Sequence, residues 1–197
     1  MSNSFFSFKI LIIFIILISV FISVFFIPIF PEEFTSYSSS NFISIDISSS
    51  GYAWPIPGYN SITSYFGYRV SPTAGASSYH SGLDIGAPEG SKLIAITSGE
   101  ITFANFLGGG GYTITLTSGN IKFTYCHVSP NYIVKVGDKV FQGQVIGYVG
   151  PKNVYGVKGN QYFDENGNPT NGATTGPHLH FGVRINGEYV NPLSLFN

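Results

Sequence analysis

Two kinds of apolar text divide the chain. Residues 10–30 read ILIIFIILISVFISVFFIPIF, 21 positions without a charge, and about 20 such residues cross a bilayer as a helix. Beyond residue 50 the apolar positions come in short runs broken by glycine. TITLT, SGN and IKFTYCHV (113–128) predict a β-hairpin closed by a short Gly-containing loop. KLIAITSGEITFANF (92–106) predicts two strands around Ser98 and Gly99, and VKVGDKVFQGQVIGYVG (134–150) three short ones. No stretch of 51–197 sustains a 3.6-residue apolar period over three turns. The pattern predicts an all-β domain of antiparallel sheets.

Between these parts lies PEEFTSYSSSNFISIDISSS (31–50), in which eight of twenty residues are serine. It reads as a flexible linker. The expected organisation is an N-terminal membrane anchor or signal peptide at 1–30, a linker at 31–50 and a domain at 51–197. Lys9 before the apolar run and Glu32 and Glu33 after it put the N-terminus in the cytoplasm and the domain outside. The alternative is secretion after signal cleavage. The apolar region is long for a signal peptide, and no Ala-x-Ala-like site follows it.

Composition narrows the function. Apolar residues make up 44% and charged residues 10%, with a net charge of −1. Nothing in that balance points to nucleic acid. The 24 glycines and 16% aromatics suit strands and tight turns. The single cysteine, Cys126, forms no internal disulfide and no multi-thiolate metal site.

The four histidines all fall in the expected domain: His80 in YHSGLD, His127 in TYCHVS, and His178 and His180 in GPHLHF. In a strand, His178 and His180 share a face while Leu179 turns into the core. His80 and Asp84 also share a face if the segment is extended, and imidazole with carboxylate is a zinc-ligand pair. A catalytic zinc takes three protein ligands, so two histidines and Asp84 would suffice, leaving two imidazoles for proton transfer. Spacing alone does not say which two histidines bind. There is no His-Glu-x-x-His motif, so the base of a metal hydrolase here would be a histidine.

HSGLDIGAPEGSKLIAITSGEI, YCHVS, VKVGDKVFQGQVIGYVG and TGPHLHFGVRINGEYVNPLSLF together resemble the M23 family of zinc peptidases, the lysostaphin-like or LytM-type peptidoglycan endopeptidases. The lead-in WPIPGYNSITSYFGYR is similar to the family's opening strand, so the resemblance covers about 54–196. It implies one Zn2+ held by His80, Asp84 and His180, with His127 and His178 as catalytic histidines. It implies an antiparallel β-sheet sandwich with a narrow groove, and the peptide part of bacterial cell-wall peptidoglycan as substrate. The expectation is a single-pass, membrane-anchored endopeptidase with its domain outside the cytoplasm. Some members have lost ligands and become silent binding or regulatory proteins; here every position of the pattern is filled. No motif identifies a regulatory protein, and no other cofactor site is expected.

Three features need separate readings. Cys126 stands where the family more often has a small residue and is expected as buried filler; a Cys126–His127 nucleophile is rejected because strand neighbours face opposite ways. The 134–150 rhythm also resembles biotinyl and lipoyl carriers, but Lys139 is not at a tight hairpin turn. Residues 151–174 form a longer connection than the family pattern needs. Asp164, Asn166 and Asn168 mimic the start of a calcium loop, but Pro169 occupies the glycine position and no glutamate closes it. An extended hairpin with Asn-Gly turns, flanking the groove, is expected instead.

Overall fold

The computed structural model describes residues 45–196. The expected anchor, and the expected linker as far as residue 44, lie outside the described residues.

Among the described residues the strands are β1 (Ile62–Ser64), β2 (Gly67–Tyr68), β3 (Tyr79–His80), β4 (Gly82–Gly86), β5 (Lys92–Ile94), β6 (Gly99–Phe106), β7 (Tyr112–Ser118), β8 (Ile121–Cys126), β9 (Lys139–Val140), β10 (Val145–Tyr148), β11 (His178–Ile185) and β12 (Glu188–Val190). The helical elements among them are two short 3-10 turns. The main sheet runs β1-β4-β11-β8-β7-β6-β9, with β12 also on β11. β2–β3 and β5–β10 form separate pairs. Every pairing is antiparallel, as the strand pattern predicts.

Strand β11 shows how the sequence sorts its faces. Leu179, Phe181 and Val183 are fully buried, packed with Leu83 and Ile85 of β4 and with Phe123 and Tyr125 of β8. Each such side chain contributes about 1.5–3 kcal/mol on leaving water. The alternate positions His178, His180, Gly182 and Arg184 belong to the opposite face, because successive strand residues alternate. Buried Tyr125 remains satisfied: its hydroxyl donates to Ile94 O (2.9 Å) and accepts from Ile96 N (3.2 Å). These bonds tie the main sheet to the β5 region.

The last residues of the expected linker are part of this structure. Ile47 bridges Ala53, and Ser48 Oγ donates to Leu195 O at 2.9 Å.

The 151–174 segment departs from an uninterrupted hairpin. Its two sides form isolated antiparallel bridges, Asn153 with Thr170 and Phe163 with Pro169, instead of a continuous ladder, and are also joined by backbone bonds such as Val154 N to Pro169 O (3.0 Å) and Asn171 N to Lys152 O (2.8 Å). At its tip Asp164 Oδ1 accepts from Asn166 N (3.1 Å) and Asn168 N (2.9 Å). Its carboxyl is held down to about 2, first by the Asn168 N–H. The carboxylate thus serves the turn. The returning limb packs against the turn before β7. Gly172 has φ 76°, and a Cβ there would lie 2.3 Å from Gly111 N and 2.4 Å from Gly109 O. Gly172→Ala combines left-handed strain with a backbone clash, and is expected to lower unfolding free energy by about 2–4 kcal/mol in urea titrations.

Candidate metal centre

The antiparallel register of β4 and β11 sets Asp84 opposite His180, and that of β8 and β11 sets Cys126 opposite His180. His80 ends β3, two residues before β4 begins. The result is a tight triangle. His80 Nε2 lies 3.0 Å from Asp84 Oδ1 and 2.9 Å from His180 Nδ1, and His180 Nδ1 lies 2.8 Å from Asp84 Oδ1. These three residues form the candidate metal-ligand group.

Backbone carbonyls fix three of the four imidazoles. His80 Nδ1 donates to Tyr65 O (2.8 Å), His127 Nδ1 to Asn171 O (2.7 Å) and His178 Nδ1 to Gly176 O (2.8 Å). A carbonyl only accepts, so each neutral ring carries its proton on Nδ1 and leaves Nε2 as a bare lone pair. The triangle therefore brings a bare imidazole nitrogen and a carboxylate oxygen against a second imidazole nitrogen. Two nitrogens and one oxygen are the donors a divalent zinc takes at about 2.0–2.2 Å, and the second-side hydrogen bonds hold them in orientation. The donor set fits one zinc ion.

His127 and His178 stand beside this triangle. Their ring centroids are 4.6 Å apart, and His178 Nε2 is 3.6 Å from Asp84 Oδ1. His127 is not a strand residue: β8 ends at Cys126, and His127 turns into the left-handed region at φ 58°. Such a conformation costs about 1–3 kcal/mol outside glycine. Here His127 N donates to Gly110 O (2.8 Å), and His127 O accepts from Gly150 N (2.9 Å). The exclusion of a Cys126–His127 nucleophile thus rests on a different reason from strand alternation. Cys126 is buried, and burial pushes its thiol up to about 11, so it stays protonated.

Burial alone would raise the Asp84 carboxyl. The His180 and His80 rings against it override that and hold it far below the ordinary range. Burial pushes His180 down. It pushes His127 down as well, to about 3, with His178 as the next cause. At neutral pH His127 is therefore a neutral imidazole.

Two supporting residues were missed by sequence reasoning. Arg69 Nη1 donates to Asp84 Oδ2 at 2.9 Å and also to Ser64 Oγ. It belongs to SYFGYR, which the sequence marked only as a lead-in strand. Asn171 is fully buried. Its carbonyl takes the His127 proton bond, its Oδ1 accepts from Tyr112 N (2.8 Å), and its Nδ2 donates to Val128 O (3.0 Å). No spacing rule flags an asparagine in an elongated connection. The four histidines and the aspartate singled out from the sequence come together at one cleft of about 710 Å3.

Removing a group that orients a metal ligand typically costs about 10–100-fold in metal affinity. Arg69→Ala is expected to weaken zinc within that range in a chelator competition, and Arg69→Lys less. The depressed His127 pKa gives a pH signature. Between about 6.5 and about 3 the unfolded chain binds this proton and the folded chain does not, so stability falls as pH drops through that window. Thermal unfolding of His127→Gln should show a shallower acid slope than the parent chain.

The model of peptidase family M23 matches residues 78–192. The chain is similar to the DD-carboxypeptidase/endopeptidase Mpg of Neisseria meningitidis, 35% identical over 138 residues, which are 70% of this chain and 27% of that protein. It is similar to the peptidoglycan DD-endopeptidase ShyC of Vibrio cholerae, 30% identical over 63% of this chain and 24% of that one. The chain thus spans about a quarter of the length of these curated relatives. Its fold is similar to the lysostaphin catalytic domain from Staphylococcus simulans, with a TM-score of 0.52, 30% identity, and coverage of 70% of this chain and 90% of that one.

Proposed function

The chain belongs to peptidase family M23, and on that premise we propose that it is a zinc endopeptidase cutting peptide bonds in bacterial cell-wall peptidoglycan. The observation that carries this reading is the complete triangle of His80, Asp84 and His180 with two further oriented imidazoles beside it. A silent binding protein has no use for that complement. The relatives named as DD-endopeptidases support the substrate class. The uncharged run at 10–30 and Lys9 before it support a single-pass anchor with the domain outside the cytoplasm, where this polymer lies. The cleft is lined by residues of the connections before β3, before β7 and before β11 as well as by strand residues, which supports a substrate groove.

His80, Asp84 and His180 would hold the zinc. When bound, zinc supplies Lewis-acid chemistry, acidifying a water molecule and polarising an amide carbonyl. Arg69 neutralises the outer oxygen of Asp84 and keeps its carboxylate aimed inward. His127, neutral and bonded through Nδ1, presents an acceptor to a water or to the substrate N–H. His178, with its Nδ1–H tied to Gly176 O and its Nε2 3.6 Å from Asp84 Oδ1, is placed to take up the water's proton and return it to the leaving amine. The His178 Nδ1–H, tied to Gly176 O, steadies the imidazolium that forms in between.

The test is incubation of the zinc-loaded chain with purified peptidoglycan, with released peptides identified by mass spectrometry. Chelator-sensitive release with a new amine terminus is expected. His178→Ala should retain zinc and lose about 10²–10⁴-fold in rate, whereas Asp84→Ala should lose both zinc and turnover. Zinc loss in His178→Ala with retention in His180→Ala would overturn the assignment.

A further inference from the structure

The Asp, Glu, Lys and Arg side chains lining the cleft are Arg69, Asp84 and Arg184. Arg69 and Asp84 pair with each other at 2.9 Å. Arg184 has no carboxylate partner among the described residues. Its Nη2 donates to Tyr189 Oη, its guanidinium carbon sits 4.2 Å from the centre of the Tyr189 ring, and its Nε is buried without any acceptor. A guanidinium held in place by stacking, with a desolvated donor unused, is prepared for an anion.

Its neighbour makes the charge stronger. Lys122 of β8 is the register partner of Arg184, so the two side chains share a face. Like charges placed opposite each other destabilise a sheet, and no acid in the described residues relieves this pair. That face also carries the metal triangle. His180, Gly182 and Arg184 follow at alternate positions of β11, with Gly82 the register partner of Gly182. The floor between zinc ligand and arginine is therefore a pair of glycines: a Cβ at Gly82 would lie 2.9 Å from His180 Nε2, whereas one at Gly182, which lines the cleft, would meet nothing nearer than 3.5 Å, so an extended chain lies along the Gly182 side. Four residues of strand separate His180 from Arg184, about 13 Å, which an extended peptide covers in about four residues.

We propose that Arg184, with Lys122 and Tyr189, forms a carboxylate-binding subsite at one end of the cleft, so that the peptide substrate is one carrying a free carboxylate about four residues from the bond that is cut. This rests on the peptidase reading for its ligand. Arg184 binds substrate and takes no part in the bond cleavage.

The test uses the full zinc-loaded chain carrying His178→Ala, so that bound peptide is not consumed. The probes are a purified cross-linked peptidoglycan peptide and the same peptide with its carboxylates converted to carboxamides. The free-carboxylate form is expected to bind about tenfold or more tightly, in keeping with hydrogen bonds to charged groups. Adding Arg184→Gln should bring the two dissociation constants to within about twofold, and Arg184→Lys should restore part of the ratio. Exposed Lys122→Gln, which leaves the core untouched, should lower the ratio about two- to threefold. Equal binding of both forms by the parent chain, or a ratio unchanged in Arg184→Gln and Lys122→Gln, overturns the subsite. The peptidase reading fails separately, if the chain with His178 intact releases no peptide from peptidoglycan whatever the binding ratio.

Discussion

One strand register holds the centre together. In the antiparallel pairing of β4 with β11, Asp84 stands opposite His180 and Leu83 opposite Phe181. The same pairing therefore seals the core on one face and builds the metal triangle on the other. A one-residue slip would turn Leu179, Phe181 and Val183 toward water and the histidines into the core. The cost of exposing those apolar side chains is what keeps the polar donors within 3.0 Å of each other. The core thus fixes the site without touching it, and the crowding of lone pairs is tolerated because the register gives the side chains nowhere else to go.

Around the triangle, orientation is supplied by backbone carbonyls. Tyr65 comes from the β1–β2 connection and Asn171 and Gly176 from the β10–β11 connection, and each takes the Nδ1 proton of one imidazole. The elongated 151–174 connection belongs to this framework, because its Asn171 both locks to β7 and the Val128 carbonyl and holds His127. Burial keeps His127 neutral, which suits a group meant to accept rather than store a proton. Gly182 lines the cleft without a side chain beside these groups, and Arg184 closes it with a charge that has no carboxylate partner among the described residues.

The parts of this arrangement that follow a repeat were legible in the sequence. The two-residue alternation of HLHFGVRI predicts both faces of β11, and short glycine-punctuated runs predict antiparallel strands. The resemblance of the His-x-x-x-Asp and His-x-His segments to the M23 pattern named the five residues that converge. What escaped depends on contacts between distant segments or on irregular backbone. Arg69 meets Asp84 across a separation of 15 residues, and Asn171 meets His127 across 44. The left-handed turn at His127 breaks the alternation that the sequence would continue. Serines 48 to 50 read as linker by composition, yet the Ser48 hydroxyl caps a carbonyl at the far end of the chain. Such bonds leave no local pattern.

The central claim is that His80, Asp84 and His180 are the protein ligands of one zinc ion. X-ray absorption at the zinc edge of the purified, metal-loaded chain tests it most directly. The account predicts one zinc per chain with two imidazole nitrogens and carboxylate oxygen at about 2.0–2.2 Å, and no sulfur. A sulfur scatterer at about 2.3 Å, the distance of a thiolate such as Cys126 would supply, or a third imidazole in the coordination shell, would contradict it.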